Sequence, residues 1–66
     1  MNTPEQEIKI TQDDFLRLKA RLSNFLKYYW DYRAEATPEQ IAAANSATIA
    51  IDEAVAKLEI LKEKMQ

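Results

Sequence analysis

The chain has 66 residues, with 9 Lys or Arg against 11 Asp or Glu, a formal net charge of −2, and no Cys, His or Gly. Lack of Cys and His excludes disulfides and the common zinc sites, and lack of Gly excludes glycine-rich phosphate loops. A chain this short forms one domain at most, and a single core of that size is marginal unless a partner chain extends it.

The charge balance disfavours nucleic acid, because nonspecific binding relies on clustered Lys and Arg. No apolar run approaches the ~20 residues that span a bilayer. The stretch from Met1 to Ile10 has no basic segment followed by an apolar one. No secretion signal is therefore expected, and the cytoplasm is the expected location. No cofactor or metal is expected, since no Asp/Asn-rich loop with a turn glycine is present.

Residues 1–10 are read as a flexible or extended arm. Thr3-Pro4-Glu5-Gln6 has the chemistry of a helix start, with Thr as N-cap, Pro at N1 and Gln at N3. Glu7-Ile8-Lys9-Ile10-Thr11 then alternates polar and apolar, which is strand spacing. The conflict leaves the arm outside the helices, with its isoleucines touching their ends.

The first helix is expected over about 12–36. Thr11 serves as N-cap, Asp14 approximates a capping box, and Ile10 and Phe15 are spaced as a hydrophobic staple. Asp13 and Asp14 suit the positive end of the dipole. Apolar residues then recur at Phe15, Leu18, Leu22, Phe25, Tyr29, Tyr32 and Ala36. Alternating steps of three and four mark the stripe by which one helix packs on another.

Pro38 disfavours helical geometry at Thr37 and ends the first helix. Thr37-Pro38-Glu39-Gln40 then repeats the capping chemistry of residues 3–6 and opens a second helix, expected over about 38–64. Its stripe runs Ala44, Ala47, Ile51, Ala54, Leu58, Leu61, Met65. Folding at Thr37 sets Phe25 against Thr48, Leu22 against Ile51, Leu18 against Val55 and Phe15 against Leu58. The aromatic half of one helix then meets the alanine half of the other, large against small.

The expected fold is all-α, an antiparallel helical hairpin with coiled-coil packing. Its seam is Phe15, Leu18, Leu22, Phe25, Tyr29, Tyr32, Ile51, Val55, Leu58 and Leu61. One facing helix cannot cover the apolar face of the second arm, so two hairpins are expected to dimerise into a four-helix bundle.

Tyr28-Tyr29-Trp30-Asp31-Tyr32-Arg33 is the most unusual segment. Consecutive helical residues point in different directions, so these rings cannot share one seam. Tyr28 and Trp30 are read first as edge fillers of a homodimer core. Leu16, Tyr28, Trp30 and Arg33 are the best candidates for a patch facing a different protein, being rich in the residue types of binding hot spots.

Catalysis has little support: Ser23 and Ser46 have no base nearby in sequence, and a small hairpin offers no shaped pocket. The expected function is therefore a non-enzymatic interaction module (adaptor, co-chaperone or inhibitor) working through a helical apolar and aromatic face, with itself and another protein as partners. The alternative is a dimeric DNA-binding regulator. Residues 7–11 as a strand followed by two helices resemble the ribbon-helix-helix order, in which strand side chains read the major groove. Only Lys9 among those strand positions is basic.

Overall fold

The computed structural model of the chain describes residues 1–65, except for the side chains of Tyr32 and Arg33. Helix α1 spans Pro4–Asn24 and continues into a π-helical turn, Phe25–Tyr29. A single-turn helix α2, Tyr32–Glu35, precedes helix α3, Pro38–Lys64. No strand occurs among the described residues. The molecule is a thin layer of 47 × 19 × 11 Å, and none of its helices is long and apolar enough to cross a membrane.

Helix α1 begins at Pro4, well inside residues 1–10, the stretch expected to be an arm. The Thr3 hydroxyl accepts from the Gln6 N–H at 3.2 Å, and the Gln6 side chain accepts from the Thr3 N–H at 2.8 Å. This reciprocal box satisfies two N–H groups that a helix start otherwise leaves open. Thr11 caps nothing. Its hydroxyl donates to the Glu7 carbonyl at 2.8 Å, the back-bond of a mid-helix threonine. Residues 7–11 are therefore helical, which removes the strand on which the ribbon-helix-helix alternative depended.

The first helix also ends earlier than expected. In the π turn the Trp30 N–H reaches back five residues to the Phe25 carbonyl, at 3.1 Å. Trp30 then turns extended, with φ −145° and ψ 113°. Bulky aromatics lose rotamer freedom in a helix, and Asp favours caps over interiors. The Asp31 carbonyl accordingly starts the next turn, accepting from Ala34 and Glu35. Thr37 and Gln40 form a second reciprocal box, which opens α3.

Helices α1 and α3 lie against one another in opposite directions. The Gln12 amide donates to the Val55 carbonyl at 3.2 Å and to the Glu59 carboxylate at 3.0 Å. Further along, Lys19 meets Asp52 at 2.7 Å. On the levels that Gln12–Glu59 and Lys19–Asp52 set, Val55 lies opposite Leu16 and not Leu18, a displacement of two residues, about 3 Å along the helix. Among the described residues the best covered are Ile8, 7% exposed and within the supposed arm, and Gln12, 8% exposed and at the expected helix start.

Of the expected seam, Phe15, Leu22, Ile51, Val55 and Leu58 are half-buried. Leu18, Phe25, Tyr29 and Leu61 are exposed, Tyr29 at 82%. The side chain of Tyr32 lies outside the description. The line of contact instead follows Ile8, Gln12, Phe15, Lys19 and Leu22 of α1, Leu26 of the π turn and Trp30 just after it, all buried or half-buried. Its steps alternate four and three until the π turn inserts an extra residue between Leu26 and Trp30. That insertion swings Trp30 inward and Tyr29 out.

Candidate functional site: the open side of the helix pair

The two sides of the layer differ in chemistry. On one side, Gln12 and Lys19 of α1 reach Glu59 and Asp52 of α3. Lys62 also approaches Glu59, at 3.4 Å. The Glu59 carboxyl is held below its ordinary pKa, chiefly by the Gln12 hydrogen bond, against a smaller opposing effect of desolvation; Lys62 and, more weakly, Lys9 add to the lowering. This side is a polar clasp.

The opposite side carries the regular stripe. Leu18 and Phe25 each stand one position before a contact residue of α1. Ala47, Ala54 and Leu61 stand one position before Thr48, Val55 and Lys62 of α3. In an antiparallel pair, such flanking positions of both helices fall on the same side. Leu18, Phe25 and Leu61 remain 50%, 48% and 44% exposed there. Behind them, Phe15, Leu22, Ile51, Ala54 and Leu58 are only half-buried. The stripe is thus divided: Phe15, Leu22, Ile51 and Leu58 are half-buried along the helix pair, while Leu18, Phe25 and Leu61 form a shared face left open.

Near the turn end, the Phe25 and Trp30 rings lie 6.0 Å apart, tilted by 34°. Lys27 sits 5.2 Å above the Tyr28 ring, a cation–π distance. Tyr28 is 68% exposed and Leu16 is also exposed, whereas Trp30 is half-buried. Twelve residues separate Leu16 from Tyr28, roughly 18 Å along a helix and a third of the way around it. The structure does not bring those two into one patch, and the Arg33 side chain lies outside the description.

Ile8, Gln12, Lys19, Leu26 and Glu59 are structural residues that apolar periodicity misses, because polar members interrupt their stripe. The capping box at Thr3 was the available signal for extending α1 over Ile8. Among the described residues, no three potential metal ligands of the His, Cys, Asp and Glu types gather. Compared with protein-family models, with curated proteins and with solved structures, the chain matches none.

Proposed function

We propose that the protein is a small non-enzymatic interaction module that self-associates through its open apolar side into a four-helix bundle and presents its aromatic turn end to another protein. The observation that carries this reading is the shared face: the stripes of both long helices open on one side of the layer. A folded monomer of this mass exposes about 4,300 Å² by the usual surface scaling. This chain exposes 5308 Å². The excess, on the order of 1,000 Å², compares with the roughly 800 Å² that each partner contributes to a standard interface.

Tyr28 supports the second half of the proposal. It stands away from the clasp, at the turn end of the open side's rim, and its exposed ring with Lys27 above it suits a protein contact. The test is recovery of tagged protein from its producing cells, parent beside Tyr28→Ala. A second protein that stays with the parent, is lost from the variant, and rebinds when purified supports the reading. Equal recovery with both, or rebinding that ignores Tyr28, contradicts it.

A further inference from the structure

The occupant of the open side can be specified further, on the basis of the self-association just proposed. We infer that the second copy lies with its turn at the same end, so that α1 of each copy packs on α3 of the other. Two symmetric ways of stacking the open faces exist. Either α1 meets the second copy's α3 with both turns together, or α1 meets α1 and α3 meets α3 with the turns at opposite ends.

The residues rimming the open face choose between them. On α1 the rim positions beyond Thr11, Leu18 and Phe25 are Glu7, Asp14, Arg21 and Tyr28. On α3 the matching positions are Ala43, Ala50, Lys57 and Lys64. All are exposed. With the turns together, levels set by Lys19 opposite Asp52 and Gln12 opposite Glu59 carry across. Glu7 then faces Lys64 of the second copy, Asp14 faces Lys57, Arg21 faces Ala50, and Tyr28 faces Ala43.

Two-fold symmetry doubles the first two contacts into four pairs of opposite charge. It also sets Phe25 over Ala47 and Leu18 over Ala54, large against small. With the turns apart, Asp14 faces Arg21, Glu7 faces Tyr28, and the lysines of α3 face alanines. That arrangement has two charge pairs and no acidic partner for Lys57 or Lys64. Asp14 already touches Arg17 at 3.3 Å, and Glu7 accepts from Asn2 at 3.0 Å. Both contacts are exposed and exchange readily for a pair at the rim.

The chain has no cysteine, so engineered pairs report geometry cleanly. The double variant Asp14→Cys, Lys57→Cys should oxidise to a covalent dimer joined by two disulfides. Asp14→Cys, Arg21→Cys should stay mostly uncrosslinked, as should the outer-face control Ile49→Cys, Ile60→Cys. Sedimentation of the reduced proteins checks that each variant still folds and pairs as the parent does. Covalent dimer from the second variant in place of the first overturns this arrangement and assigns the opposite one. A parent that stays monomeric overturns the pairing itself, while the Tyr28 recovery experiment still tests binding to another protein.

Discussion

Gln12 and Glu59 meet at 3.0 Å across the two long helices, a neutral amide donating to a charged carboxylate. The same amide also donates to the Val55 carbonyl, so this polar side chain, together with Lys19 on Asp52, sets the register of α1 on α3. Hydrogen bonds to charged groups contribute about 1.5–3 kcal/mol when well enclosed. Glu59 is only half-buried, so Gln12→Ala should cost about 1–2 kcal/mol. Thermal melting measures the loss, and NMR titration should show the Glu59 pKa rising in the variant. A variant that melts with the parent would place the register elsewhere.

The lowered Glu59 pKa gives stability a pH dependence of definite sign. A carboxyl whose folded pKa lies below its unfolded value stabilises the fold above the unfolded value. That contribution fades as pH falls from the ordinary glutamate range through the folded pKa. Melting temperature should therefore fall on acidification, and Glu59→Gln should flatten part of that fall. An identical pH profile for parent and variant would remove Glu59 from the account.

The two capping boxes make a paired prediction. Thr37→Ala and Thr3→Ala should each cost roughly 0.5–2 kcal/mol, the usual loss of an N-cap. Thr11→Ala should be near neutral, because alanine is the better helix former and the back-bond contributes little. Amide exchange should quicken at Glu5–Glu7 in the Thr3 variant. Loss at Thr11 with no loss at Thr3 would return the helix start to Thr11.

Trp30 is half-buried just beyond the π turn, its ring 6.0 Å from that of Phe25. Truncating a fully enclosed aromatic costs about 3–5 kcal/mol. Half enclosure sets the expectation for Trp30→Ala near half of that. Its fluorescence should lie between those of solvated and buried indole. A melt unchanged by the substitution, with a fully solvated spectrum, would mean that the ring does not pack on the helix pair.

Much of this fold is written locally. The box at Thr37-Pro38-Glu39-Gln40 opens α3, and the stripe of threes and fours identifies helices that pack. The alternation of Glu7 to Thr11 obscured the start of α1, because five residues carry too little periodicity to outweigh a cap. Polar Gln12 and Lys19 hid the true line of contact, since each reaches its partner through long, flexible atoms that no hydropathy pattern registers. The π turn was invisible for a different reason. It adds one residue to the register, so Trp30 takes the place that strict spacing assigns to Tyr29.

A second copy is expected to cover the side bearing Leu18, Phe25 and Leu61. Sedimentation equilibrium across micromolar concentrations, joined to melting at the same concentrations, decides this. The parent should sediment as a dimer and melt higher as concentration rises, since only the folded pair is stabilised by mass action. Phe25→Glu should lose both properties, and Ile60→Glu on the outer face should keep them. A parent that sediments as a monomer throughout, with a melting temperature independent of concentration, would contradict the claim.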